Sequence, residues 1–397
     1  MNFEEFFSRY QHLRLAKPED NDAIITFLKS ISMRMTNMTL RYEFSGSIWK
    51  FLDFQGERTH VVVMENDDKT IHGYGVLSIR KYYIFGKIHN AVYLSDLRVA
   101  KTLNPDAKKE WKQCMGDGLF NYKKIDEIND SPYFYSAVLS KNVKALSVFN
   151  KDSFPAVFHP IMKYRAVSIL GRKLQTYLLG FGHKTPQFTV MKAKQSDEHK
   201  LRKFLSVQNK RKIWGDYFAP PESSDFDEWK RRVQSWDNFN ITDFILVKDS
   251  KDKIIFCTYP WSPQVTRRLV VDRAPLFYLA LSKLFKLVGK IPILTGKPLK
   301  VLYLTHFEMA HELDETQKSE VLKGFFNYLY KTGTPKLYHS MTFCDYYDPA
   351  ISSVLKKFIC FNTPAQLYQI YAKENHPQII ELDENHVSKM SFEAAIV

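Results

Sequence analysis

Two distant segments of this 397-residue chain read alike, Tyr93-Leu-Ser-Asp-Leu-Arg-Val-Ala100 and Tyr303-Leu-Thr-His-Phe-Glu-Met-Ala310. An internal repeat constrains the fold more tightly than composition does, because each copy must be a unit whose apolar face is buried by itself or by its twin. Both segments read as buried strands, each followed by a charged, helix-forming run, Asn104 to about Lys123 and His311 to about Lys331. A second strand candidate comes next, Tyr133 to Leu139 or Lys336 to Phe343, and then a shorter helix. Upstream, Leu13 to Asp20 and Thr189 to Asp197 both read as a strand entering a helix. The matching points are 177 apart at Asp20 and Asp197, 210 at Tyr93 and Tyr303, and 204 at Ser136 and Ser340. A duplication with about thirty extra residues in the second copy accounts for these offsets.

The middle of each copy reads as a meander. His60 to Glu65, Gly73 to Phe85 and Ile88 to Val99 are successive strand candidates, with turns at Asn66-Asp-Asp68 and near Gly86. Asp243 to Lys248, Lys253 to Tyr259 and Lys300 to Met309 repeat the pattern. The extra residues fall around Leu276 to Lys297, where Leu276, Leu279, Leu284, Leu287 and Val288 suggest an amphipathic, core-facing helix. The expected organisation is a first domain at 10–172, a linker at 173–186, a second domain at 187–373 and a peripheral tail at 374–397.

Composition narrows the classes. An apolar share of 45% supplies large cores, and 15% aromatic residues argue against disorder. Cys114, Cys257, Cys344 and Cys360 form no CxxC pair, which excludes a disulfide framework and common zinc spacings. The apolar stretch Leu276 to Leu294 carries Lys283, Lys286 and Lys290, so no membrane span is expected. The first residues lack a basic n-region and an apolar h-region, so a cytoplasmic protein is expected. A net charge of +14 favours an anionic partner without choosing among nucleic acid, a membrane surface and a phosphorylated cofactor.

A unit ordered strand, helix, three-strand meander, helix, strand, helix, strand resembles the GCN5-related N-acetyltransferase family, and the chain resembles two such domains in tandem. The resulting fold class is α/β (α+β), each domain a mixed, mostly antiparallel sheet flanked by helices. Asp96-Leu-Arg-Val99 is similar to the end of the family's fourth strand, and Asn142-Val-Lys-Ala145-Leu-Ser-Val-Phe149 to its Asn-x-x-Ala-x-x-x-Tyr/Phe motif. The resemblance implies acetyl-CoA or another acyl-CoA as co-substrate and no metal. Its pantetheine arm would pair with backbone near Leu97 and Val99, and its pyrophosphate would sit on amides at the next helix start near Ala107. Asn142 would bond a pantetheine amide, besides capping its own helix. The family's glycine-rich phosphate loop is replaced by Ala100-Lys-Thr-Leu-Asn-Pro-Asp-Ala107, where Lys101, Lys108 and Lys109 would supply positive charge.

The implied activity is transfer of an acyl group, most commonly acetyl, to an amine-bearing small molecule, peptide or protein by direct attack. A lysine-like amine must first lose a proton, at a cost of about 4.6 kcal/mol at pH 7. Asp96 is the candidate base. The family's thiolate-protonating Tyr falls at Phe149, so Tyr135 or Ser140 would substitute. In the second copy Glu312, Asp314 and Glu315 occupy the phosphate position, which makes the first copy the donor half. An active site on the second half would use His306 and Glu308. Two other classes compete: a catalytically inactive binding protein of the same fold, and a nucleic-acid binder using Lys210 to Phe218 and Trp229 to Arg232, whose competing reading is a helix with a solvated basic face and a lid.

Overall fold

The computed structural model describes residues 1–35, 38–182, 187–285, 290–375, 377–380 and 391. The first lobe comprises α1 Phe3–Phe7, β1 Leu13–Leu15, α2 Asn21–Ser30, β2 Met33–Met35, β3 Met38–Phe44, α3 Ile48–Leu52, β4 Arg58–Glu65, β5 Ile71–Ile84, β6 Lys87–Val99, α4 Pro105–Phe120, β7 Tyr133–Leu139, α5 Val143–Phe149 and β8 Ala156–Arg172. The second comprises α6 Leu174–Leu179, β9 Phe188–Lys192, α7 Glu198–Lys210, β10 Trp214–Asp216, α8 Glu228–Ser235, β11 Ile245–Asp249, β12 Ile254–Trp261, β13 Arg267–Arg273, α9 Leu276–Phe285, β14 Pro298–Leu299, β15 Val301–Met309, α10 Glu315–Lys331, β16 Ser340–Asp345, α11 Pro349–Leu355 and β17 Phe358–Ala372.

Local chemistry sets the repeated landmarks. Asp20 accepts from the amide of Lys17 at 2.7 Å, and Asp197 from that of Lys194 at 2.9 Å, so the same turn opens the first helix of each copy. Asn104 caps α4 ahead of Pro105, while Asp314 and Gln317 form a capping box at α10. Tyr93 lies opposite Tyr135 on β6 and β7, and Tyr303 opposite Thr342 on β15 and β16. Ser136 therefore corresponds to Phe343, and the sequence match of Ser136 with Ser340 slips by three residues. A serine in an apolar strand carries no register information, whereas pairing to the preceding strand does.

Thirteen of the described strands form one continuous sheet rather than two. Its order is β1-β4-β5-β6-β7-β17-β8-β16-β15-β12-β11-β9, with β10 on β5. The terminal strands have changed places. The second copy's β17 lies between β7 and β8, and the first copy's β8 pairs with β16. A second sheet, β14-β13-β3-β2, also joins both copies through β3 and β13. The largest core follows suit: Ile24, Phe51 and Val63 belong to the same buried cluster as Phe244, Phe325 and Phe343.

Three expectations change on contact with the structure. The helix at Leu276 exists, but Leu276 and Phe277 face solvent instead of the core; Leu287 and Val288 lie outside the described residues. Most of the tail at 374–397 is also outside them, yet Ile380 and Ser391 are buried, Ile380 against Tyr135 and Trp214. The stretch read as a linker contains α6.

Candidate functional site

Parallel pairing between β6 and β7 stops at Tyr93 and Tyr135, leaving the open edge of β6 from Leu94 to Val99 facing Ser136 to Leu139 across a splay. The same pairing stops at Tyr303 and Thr342 in the second lobe. Both fourth strands carry a bulge just beyond the splay point. Asp96 has φ +51° and His306 φ +50°, and the register with the preceding strand shifts at each. A bulge inserts one residue and re-aims the strand, so Leu94 and Leu97, which strict alternation would put on opposite faces, both line the same space.

That space is an apolar cavity of about 150 Å³ between the splayed sheet, α1 and α4. Phe6, Gly75, Leu97, Trp111, Met115 and Phe149 are among its walls, with Ser95 and Ser136 beside the splay. Gly75 stands opposite the bulge, where an added Cβ would lie 3.8 Å from Leu97 Cδ1. An apolar space of this size suits an apolar ligand.

No family model matches the chain, and no curated protein matches it in sequence. Its likeness lies in solved structures. N-myristoyltransferase of Saccharomyces cerevisiae with bound myristoyl-CoA aligns with 92% of this chain and 84% of its own, at 10% identity and a TM-score of 0.54. A GCN5-related N-acetyltransferase from Sphaerobacter thermophilus aligns over 93% and 98%, at 11% identity and a TM-score of 0.53. The GCN5-related glucosamine N-acetyltransferase region of a fungal multi-domain β-N-acetylglucosaminidase covers 90% of this chain and 38% of that one, at 10% identity and 0.55. The chain has a tandem GCN5-related N-acetyltransferase fold.

Within this acetyltransferase fold, the expected site residues separate into four places. Asp96, Leu97 and Val99 line the splay, with Leu97 and Val99 exposed. Asn142 caps α5, accepting from the Ala145 amide at 3.3 Å, and is itself exposed, as is Ser140. Tyr135 is on the opposite face from the cavity, buried, stacked on Tyr93 at 4.9 Å and hydrogen-bonded to Tyr82. Desolvation first, with the neighbouring tyrosines, pushes its hydroxyl well above the usual range, which makes it a poor proton donor.

The start of α4 is occupied from within the fold. Asn104 Oδ1 takes the Asp106 amide at 2.8 Å, and Asn104 Nδ2 donates to Asp67 of the β4–β5 turn at 3.0 Å. Ala107 is fully buried, and Lys108 Nζ donates to the Lys101 carbonyl at 3.2 Å. Lys101 and Lys109 are exposed, so positive charge surrounds a helix start that also holds the Asp67 and Asp106 carboxylates. On the second lobe, His306 is caged by Phe218, Trp236 and Phe244, and Glu308 is paired with Lys212. Burial, with Arg232 next in effect, holds the His306 imidazole well below its ordinary value, hence neutral. Among the described residues no His, Cys, Asp and Glu cluster could hold a metal ion.

Two features were invisible in the sequence. Asp96 is flanked by Arg98 at 3.4 Å and by Arg267 of the other lobe at 3.9 Å. Arg267 arrives on β13, just ahead of the inserted segment, and stacks over Phe51 at 3.7 Å. The second feature is an ion cluster between the lobes. Glu228 pairs with Arg80 at 3.1 Å, with Arg232 at 2.6 Å and with Arg231, while Arg80 also reaches Asp216 at 2.9 Å. Burial alone would raise Glu228, but Arg231, Arg80 and Arg232 together hold it well below the usual carboxylate range. Trp214, Trp229, Arg231 and Arg232 are all buried here, so they cannot stack or contact a nucleic-acid strand, nor form a solvated face.

Proposed function

We propose that the protein is an acyl-CoA-dependent N-acyltransferase whose first lobe holds the donor, and that the donor's acyl group is a fatty chain. The apolar cavity at the splay carries this reading. In a donor laid along the open edge of β6, the thioester sits near the bulge and the acyl chain enters the space behind Leu94 and Leu97. Acetyl, the commonest donor on the family resemblance, leaves that space empty, whereas about six acyl carbons fill it. Asp96 takes the proton from the attacking amine as nitrogen adds to the thioester carbon; the tetrahedral intermediate then expels the coenzyme thiolate. Water or Ser140 returns a proton to sulfur more readily than the buried Tyr135. Leu97, Val99 and Asn142 hold the pantetheine arm, with Lys101, Lys108 and Lys109 around its phosphates near Ala107. The acceptor is an amine-bearing small molecule, peptide or protein.

The reading is tested by incubating the chain with octanoyl-CoA or myristoyl-CoA and a set of peptide and polyamine acceptors, followed by mass spectrometry. The expected result is an acyl mass shift, slowed by about 10²–10⁴-fold in Asp96→Asn without loss of donor binding. The crowded start of α4 favours a second reading, a fatty-ligand-binding protein that has lost transfer. Donor binding with no acylated product from any acceptor supports that one instead.

A further inference from the structure

We infer that one rim of the second lobe docks onto an anionic lipid bilayer surface. The strands β17, β8, β16 and β15 are consecutive in the sheet, and the connectors at one end of all four meet there. The Lys173 amide donates to the Lys357 carbonyl at 3.0 Å, the His339 amide to the Lys300 carbonyl at 2.8 Å, and His339 Nε2 contacts the Pro292 carbonyl at 3.1 Å. Arg172 lies 4.7 Å over Tyr330, which brings the end of α10 to the same rim.

The segments that build this rim carry no acid. No Asp or Glu occurs between Asp152 and Asp197, between Asp272 and Glu308, between Glu320 and Asp345, or between Asp348 and Glu374. Lys173, Lys297, Lys300, Lys331, Lys336 and Lys356 are exposed there. Between them α6 is built inside out. It shows water Leu174 at 74%, Leu178 at 70% and Leu179 at 75% exposure, and buries Thr176. Leu337, ahead of β16, is 63% exposed. A helix of a water-soluble surface does the reverse. Leucines flanked by lysines, on segments that carry no acid, with the neighbouring Asp272 paired to Arg41, suit the boundary between acyl chains and negative headgroups. A nucleic acid would use the lysines and Tyr177, 55% exposed, but offers the three more exposed leucines nothing. The surface is distant in sequence from the splay residues, and the inference stands apart from the catalytic reading.

The test is co-sedimentation of the full chain with phosphatidylcholine vesicles, with and without about a third phosphatidylserine. Binding only to the serine-lipid vesicles at low salt is expected. The double variant Leu178→Asp/Leu179→Asp should weaken it at least about tenfold, and Lys331→Glu/Lys336→Glu should weaken it by about fivefold or more for each lysine. All four side chains are exposed, so melting temperature should stay unchanged, and it is measured alongside. No binding to the anionic vesicles would overturn the inference. So would vesicle binding that ignores the leucine substitutions, or lysine-dependent binding to an RNA oligomer in place of vesicles.

Discussion

Gly75 and Asp96 carry the most consequence per atom. Gly75→Leu projects a side chain into the cavity against Leu97, where the first added carbon meets only ordinary contact. It should cost at least about tenfold in affinity for an eight-carbon or longer acyl-CoA, each excluded methylene losing about 0.8 kcal/mol, while acetyl-CoA binding is kept; a calorimetric titration of both donors checks this. His306 gives a pH prediction. Its folded value is depressed by burial, so the unfolded chain binds this proton first as pH falls below about 6.5. The stability tied to neutral His306 is thus present above that pH and lost below it, by up to about 1.4 kcal/mol per pH unit. His306→Asn, which tolerates positive φ, should flatten that slope in urea melts at pH 7.5 and 5.5. The position of Asp96 was legible because its octapeptide recurs at Tyr303 to Ala310. Arg267 was not, since nothing local links β13 of one copy to β6 of the other.

At the scale of elements, every strand of the two meanders was legible from alternation and turn residues, and both splays follow from the recurrent fourth strand. The exchange of β8 and β17 was not, because two copies with similar last strands offer similar edges to each other, and the choice is made by the tertiary fold. The exchange has a measurable consequence. Residues 1–172 alone lack β17, exposing the edges of β7 and β8, so that fragment should aggregate while the full chain unfolds in one transition by calorimetry. Two well-separated transitions would show that the copies fold independently. The interlobe ion cluster predicts a related effect: Glu228→Gln leaves Arg80, Arg231 and Arg232 buried around a neutral group and should cost about 3–5 kcal/mol in denaturant melts.

Across the whole molecule, one sheet spans both copies and fastens them with a shared core, while the bulge and splay of the first lobe open onto an apolar cavity. The sequence charge of +14 is distributed unevenly, with the lysine-rich rim of the second lobe holding a concentrated share and the start of α4 a mixed one. The central claim, a fatty acyl donor held in the first lobe, is tested most directly by isothermal titration of the full chain with acetyl-, octanoyl- and myristoyl-CoA. Affinity should rise at least about tenfold from acetyl-CoA to octanoyl-CoA and gain little more with myristoyl-CoA, because methylenes leave water for the cavity until about six carbons fill it. Equal affinity for all three, or heat from none, would contradict the account.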